Sequence, residues 1–339
     1  MKPVFPLLIA VGTILYGCQP PGTSVSTTTT TAAGTGTSKT TTIASDSGTV
    51  TVVGKGNTTT IDNSGDGGPM VVGNGKIVSK PYKVSPFTKI DAENAIQIRY
   101  STGSTASITI QAEGNIFPSL VVSTDAGVLH LKTKGSLQTT QTIVATIVNP
   151  TLTGIHLEGS ASAQLEGISG GFQANLDGSS SADLSGPISS LQLDLEGSAR
   201  FAVKTSGSYG LSANLDGSSS ADFKGVLSSI TMEVGGNSMA TFSQMRAGTG
   251  TITADGSSTV TGTGSAKTLV ASAVGNSRLD LSGVDADNAK VTCDGASTLS
   301  VGKVSSLTAS ASGASHVTYK GTPASLTKDA DGASSIDQG

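Results

Sequence analysis

Two charge groupings are the places where this sequence could carry acid–base chemistry. Asp183 and Asp222 flank Arg200 in the sequence, and Arg278 precedes Asp280 by two residues. Cleavage of a polysaccharide needs a base, often Arg or Lys, beside acids or a metal on one exposed face. The commoner role of such cross-strand charges is to offset local repulsion, at about 0.2–1 kcal/mol per pair. We therefore read Asp183, Arg200 and Asp222 as a surface cluster and assign no catalytic residue. Zinc requires clustered His or Cys. His130, His156 and His316 are far apart in sequence and read as separate surface residues, so no metal site and no cofactor are assigned. Gly262 to Thr268 ends like a phosphate loop, but Thr261 and Ala266 stand where that loop needs glycine.

Composition removes further classes. The chain has 339 residues with 20 basic and 24 acidic side chains, a net charge of −4, and neither a basic run nor an aromatic-interleaved patch. Nucleic acid is not an expected partner. Sugar-binding faces commonly present aromatic rings, yet there is no Trp and only 4% of the residues are aromatic. Phe201, Phe223, Phe242 and Tyr319 have inward parity, which leaves Tyr82 and Tyr209 as the exposed candidates.

The elements that must position these side chains come from a repeat. Leu-Asp-Gly-Ser-Ser-Ser-Ala-Asp occurs at 176–183 and again at 215–222. Aligned on the central glycine, the copies fall at Gly159, Gly178, Gly197, Gly217, Gly236, Gly256, Gly275, Gly295, Gly313 and Gly332, spaced by 18 to 20 residues. A fixed short period over many copies marks a solenoid. Within a copy the apolar residues alternate: Phe172, Ala174 and Leu176 before the glycine, Ala182 and Leu184 after it. Period two means strands, and the glycine reads as a bend. The fold class expected is all-β, a single-stranded parallel β-helix of about 19 residues per coil. Leu157, Leu176, Leu195 and Leu215 form one inward column, with Leu165, Leu184, Val203 and Phe223 in another.

Polar columns run beside the apolar ones. Two residues after the glycines the column reads Ala161, Ser180, Ala199, Ser219, Ser238, Ser258, Ser277, Ser297, Ser315 and Ser334, its hydroxyls expected to bond corner carbonyls or one another. One residue before the glycine, seven of the ten copies carry an acid: Glu158, Asp177, Glu196, Asp216, Asp255, Asp294 and Asp331. An Asp there can accept a local backbone N–H. A calcium ladder is the alternative, but the calcium β-roll pattern is absent. An ice-binding face would need a regular Thr-x-Thr column, and only Thr259 and Thr261 fit.

The start of the chain is different. Met1–Cys18 has an early lysine, an apolar stretch too short to span a membrane and Leu15-Tyr16-Gly17-Cys18, which resembles the lipobox of bacterial lipoproteins. That resemblance implies cleavage before Cys18, lipidation of Cys18 and attachment to a membrane, although Tyr16 departs from the usual small residue. Residues 19–69 are rich in Thr, Ser and Gly and read as a disordered tether, with a hint of a strand pair at 50–53 and 58–61. Residues 70–150 read as irregular opening coils and 151–339 as regular coils of the same domain. Lys328 and Gln338 fall in apolar columns, so the last coil reads as a frayed polar cap. Cys293 lies in an inward column and is expected to be a buried thiol.

The Phe87-x-x-Ile90 opening, the strand ending in Gly114-Asn115, the Asp125-Ala126-Gly127-Val128-Leu129-His130-Leu131 hairpin and the Gly/Ser-rich coils together resemble one family. It is the putative auto-transporter adhesin, head GIN domain family, over roughly residues 87–319. The resemblance implies a right-handed β-helix on exported bacterial proteins, often lipoproteins, and supplies no catalytic residues. The expectation is a lipid-anchored protein of the cell envelope, in the outer membrane. It would act by contact with an unknown surface glycan or protein and would not be an enzyme. A polysaccharide-acting β-helix enzyme is the alternative.

Overall fold

The computed structural model describes residues 70–339 throughout. Earlier in the chain it describes the strands Ser26–Thr27, Ile43–Ala44, Gly48–Gly54 and Asn57–Asn63. The segment Met1–Cys18, the lipidation expected at Cys18 and most of the expected tether lie outside the described residues. The chain divides into two units, Met1–Met70 and Val71–Gly339. In the first, Gly48–Gly54 pairs antiparallel with Asn57–Asn63, Val50 opposite Ile61, where the sequence hinted at a strand pair.

The second unit is a stacked parallel coil. Each rung contributes a strand before its glycine and a strand after it, and both stack in register on the next rung. Leu157 lies opposite Leu176, Leu176 opposite Leu195, Leu195 opposite Leu215 and Leu215 opposite Val234. The inward assignment holds, since Leu176, Leu195 and Leu215 are at most 2% exposed. Burying each such side chain contributes about 1.5–3 kcal/mol, and only the stacking of rungs makes that burial possible.

The glycine at the bend meets two demands. Gly217 has φ +77°, a left-handed conformation that costs an L-residue about 1–2 kcal/mol. A Cβ on Gly217 would also lie 2.5 Å from the Gly197 carbonyl oxygen of the rung below. That carbonyl accepts the Ser218 N–H at 2.7 Å, and the same bond recurs along the stack. The glycines therefore form a tight backbone ladder along one edge of the coil.

The opposite edge has a two-rung rhythm that the 19-residue period hides. Ile168, Thr205, Met245 and Val284 are buried there on alternate rungs. Between them stand Gly186, Gly225, Gly264 and Gly302. Gly264 has φ +137°, and a Cβ on it would sit 2.2 Å from the Met245 carbonyl oxygen. Large and absent side chains alternate because neighbouring rungs share one corner volume.

The opening rungs stack out of sequence order. Lys89–Ala92 and Ile96–Thr102 make one rung, and Asn94 occupies the glycine position with φ +65°. The Asn94 carbonyl accepts the Ser160 N–H at 3.2 Å, which extends the corner ladder by one step. On the far side of that rung lie Val128–Thr133, paired with Lys89–Ala92, and Ile143–Asn149, paired with Ile96–Thr102. The chain then passes to Gly154–Leu157, which stacks on the other face of Lys89–Ala92. The first rung in sequence is thus the middle one in space.

Antiparallel strands close this end. Leu120–Asp125 pairs with Val128–Thr133, Ser107–Glu113 with Ile143–Asn149, and Ile77–Tyr82 with Ser107–Glu113. Such a change of direction ends the parallel ladder, and Lys80 and Pro81 blunt the outermost strand. Glu113 is buried and its carboxylate accepts the Gly75 N–H at 2.5 Å and the Thr139 hydroxyl. These bonds hold it below the usual glutamate range, with the Thr139 bond the largest influence. A lysine covers an aromatic ring at each end of the stack: Lys80 lies 4.2 Å from the Phe117 ring centre and Lys328 4.8 Å from that of Tyr319. Lys328 also donates to the Ile336 carbonyl at 2.8 Å. The last coil remains paired, Leu307 opposite Leu326, so it is a polar plug and not a frayed one.

Candidate functional site

Asp183 and Asp222 lie on the rungs adjoining Arg200, two positions along, but the three side chains do not form an ion-paired cluster. Arg200 stacks between Ser181 and Ser220, and it makes no ion pair among the described residues. Asp183 and Asp222 share one outward column with Ala202 between them. The cation that Asp222 finds is Lys224, at 2.9 Å, and the Thr241 hydroxyl donates to its other oxygen at 2.8 Å. Burial works to raise the Asp222 carboxyl, but the bonds from Lys224 and Thr241 outweigh it and hold it below the usual carboxylate range. Asp183, Ala202, Lys204, Asp222 and Lys224 line a shallow notch of about 350 Å³. Arg278 and Asp280 do meet, at 3.4 Å, on one exposed rung.

The histidines are where sequence separation misled most. His130 and His156, read as isolated surface residues, both reach Asp91. His130 Nδ1 lies 2.8 Å from Asp91 Oδ2 and His156 Nδ1 lies 3.1 Å from Asp91 Oδ1. Lys132 Nζ is 3.1 Å from the same carboxylate and also bonds Glu93. The out-of-order stacking builds this cluster, because 128–133, 89–92 and 154–157 are three successive rungs. Burial alone would raise Asp91. The bonds from His130 and Lys132 and the nearby cations outweigh it and hold its carboxyl below the usual range. A carboxylate can only accept, so each imidazole places its proton on Nδ1 and leaves Nε2 unprotonated when the ring is neutral.

A long groove runs from this cluster along the same face. Its volume is about 800 Å³, with Gly171, Ser190, Gly210 and Ser229 along one side and Gln173, Gln192, Ser212 and Thr231 along the other. Lys89 and Gln173 also line a smaller recess of about 310 Å³ beside His156 and Asp91. No aromatic ring lies on the exposed side of these surfaces. Tyr209, expected outside, is fully buried, and its hydroxyl has no partner among the described residues. Burial and the Asp222 charge push its phenol well above the ordinary value. The coil shifts register between Lys204 and Ser208 and again between Tyr209 and Gly210, which reverses the parity on which the outward reading relied.

The remaining polar columns are structural. The Asp177, Asp216, Asp255 and Asp331 carboxylates each accept the N–H of the following glycine, at 2.5 to 2.8 Å. Ser297 donates into the corner, to the Asp294 or Ala273 carbonyl at 2.7 and 2.9 Å, and Ser315 bonds the Cys293 carbonyl at 2.9 Å. Ser219 and Ser238 meet rung to rung at 3.2 Å, whereas Ser180 and Ser258 are buried without a partner among the described residues. Cys293 is buried beside Ser297, Sγ to Oγ 3.1 Å.

No curated protein matches the chain. Among solved structures it is similar to a putative adhesin from Parabacteroides merdae, at 18% identity over 79% of this chain and 98% of that one, with a TM-score of 0.46. A putative lipid binding protein from Parabacteroides distasonis matches at 15% identity over 79% of this chain and 99% of that one, with a TM-score of 0.44. The family described as putative auto-transporter adhesin, head GIN domain matches twice, over residues 86–231 and 210–323. These overlapping spans take in the opening rungs, the Asp91 cluster and nearly all of the regular coils, so the chain belongs to the head GIN domain family of putative auto-transporter adhesins.

Proposed function

We propose that this protein is a lipid-anchored component of the bacterial cell envelope that acts by contact, as an adhesin or scaffold, without chemical turnover. Cys18 is the anchor, residues 19–69 are the tether and the solenoid is the contact surface. The observation that carries the reading is the long open groove on a flat polar flank, lined by amides and hydroxyls over several rungs. Such a surface suits many weak contacts with an extended glycan or protein. Fractionation tests the anchor: the native chain sediments with outer membranes and Cys18→Ser is released into the soluble fraction. Equal partition of the two would remove the anchor from the account.

One observation favours a second reading, an enzyme acting on polysaccharide. His156 is held through Nδ1 by Asp91, which leaves Nε2 to accept a proton beside the groove. Incubation with acidic and neutral glycans separates the readings. New reducing ends or unsaturated products that vanish in His156→Ala would establish the enzyme. Binding without product supports contact alone.

A further inference from the structure

Among the described residues five large apolar side chains are exposed. Val72, Ile77 and Val78 lie at the opening end of the stack, Leu326 at the other end and Met239 alone on a flank. The three at the opening end converge on one turn, residues 113–119. The Val72 carbonyl accepts the Asn115 amide at 2.7 Å, and Ile77 pairs with Glu113. Val78 packs on Gly114, where an added Cβ would come within 3.2 Å of it. Lysines surround the same turn. The Lys76 carbonyl accepts the Gly114 N–H at 2.8 Å, the Lys134 N–H donates to the Ser119 carbonyl at 2.7 Å, and the Lys80 ammonium covers the Phe117 ring. All three lysines are exposed, and none forms an ion pair among the described residues. Carboxylates are scarce here, although the whole chain has a net charge of −4. Residues 70–88 and 103–149 hold two, against five lysines. Glu113 is buried, and Asp125 stands at the far end of Leu120–Asp125, about 17 Å from the Lys134 contact.

We infer that this end of the solenoid seats directly on an anionic lipid surface. Aliphatic side chains set among unpaired lysines suit the boundary between headgroups and acyl chains. Val72, Ile77 and Val78 enter that boundary, while the lysine stems lie along it and carry their ammonium groups to the phosphates. An acidic glycan would pair the lysines but leave the three aliphatics in water; a lipid surface satisfies both. The chain also enters the solenoid at this patch, in the strand Val71–Val72. Each lysine close to an anionic surface strengthens binding about fivefold, so three together give about a hundredfold over a neutral one. The attraction is screened and weakens with salt. Seating on this end stands the stack on the membrane and keeps the flank groove clear of the bilayer. That goes beyond the anchored tether proposed above and does not depend on it.

The chain contains no Trp, so a single introduced one reports on this contact. The full chain carrying Cys18→Ser, which removes the acyl anchor, receives either Ile77→Trp on the patch or Met239→Trp on the flank, where Met239 is 53% exposed. Each protein is mixed with vesicles of phosphatidylcholine, pure or with an equal share of phosphatidylglycerol. On the anionic vesicles the Ile77→Trp emission should move to shorter wavelength and be quenched by brominated acyl chains, while Met239→Trp stays unshifted. Adding Lys76→Gln, Lys80→Gln and Lys134→Gln to the Ile77→Trp protein should weaken binding about a hundredfold with the circular dichroism spectrum unchanged. An Ile77→Trp emission that never shifts overturns the inference. So does an equal shift on the neutral vesicles, in Met239→Trp or in the lysine variant. A shift that appears without vesicles as protein concentration rises also overturns it, because a second copy then covers this end. None of these outcomes depends on lipidation of Cys18.

Discussion

Replacing Gly217 by alanine isolates the corner ladder on which the stack depends. Two penalties apply at this position. The φ of +77° costs an L-residue about 1–2 kcal/mol. The new Cβ would sit 2.5 Å from the Gly197 carbonyl oxygen, and relieving overpacking of that kind adds about 1–3 kcal/mol. The sum, about 2–5 kcal/mol, falls on the rungs around 197 and 236, because solenoid stability is built from neighbour interfaces. Gly248 is the control: a Cβ there meets nothing within 4 Å. Gly248→Ala should change stability by no more than about 0.5 kcal/mol. Gly217→Asn separates the two penalties, since Asn tolerates the left-handed region but still brings a Cβ. It should recover only the conformational part. Urea unfolding followed by circular dichroism gives the totals, and hydrogen exchange at Ser218 and Asn237 locates them. If Gly217→Ala and Gly248→Ala unfold alike, the close-packed glycine ladder is not what holds the corner.

The other expectations concern polar groups that the packing has fixed. Asp91 has a depressed folded pKa, so its contribution is present above the unfolded carboxylate value near ~3.9 and is lost as pH falls through the lower folded value. Thermal melts should show Asp91→Asn well below the parent at pH 7, with the gap closing in acid; a gap independent of pH contradicts this. Tyr209→Phe removes a buried hydroxyl without a partner and should leave stability unchanged or raise it by about 1 kcal/mol in a denaturant titration; a loss would mean the hydroxyl is bonded. Ser297→Ala removes bonds to corner carbonyls and should cost about 1 kcal/mol, whereas Ser258→Ala, whose hydroxyl is unpaired, should cost nothing measurable.

What the sequence could and could not disclose follows from which forces act locally. The glycine bends, the alternating Leu176, Leu195 and Leu215 and the inward serines are legible because each coil repeats the same local chemistry. The Asp91 cluster is illegible for a topological reason. Rungs normally follow sequence order, and nothing in the local pattern announces that 128–133 and 154–157 flank 89–92. Asn94 was the available signal: it is the non-glycine residue best suited to a left-handed corner, one rung before Gly159. Parity cannot place Tyr209, because it is conserved only within a strand and the register shifts at the second corner erase it. Spacing puts Asp222 two positions along from Arg200 but cannot show that Lys224, on the acid's own rung, is the cation it pairs with. The two-rung alternation of Met245 with Gly264 is invisible in the glycine period because it runs along the other edge.

Whether the flanks are continuous surfaces over the whole stack is decided most directly by distances along its axis. With Cys18 and Cys293 replaced by serine, spin labels at Ser160 and Ser257 sit five rungs apart on the same edge, and labels at Ser160 and Ala314 sit eight apart. At about 4.8 Å per rung, pulsed electron resonance should return about 24 Å and about 38 Å, in proportion to the number of rungs. Distances that fail to grow with rung number would contradict the stacked coil, and with it every outward column from which contact has been inferred.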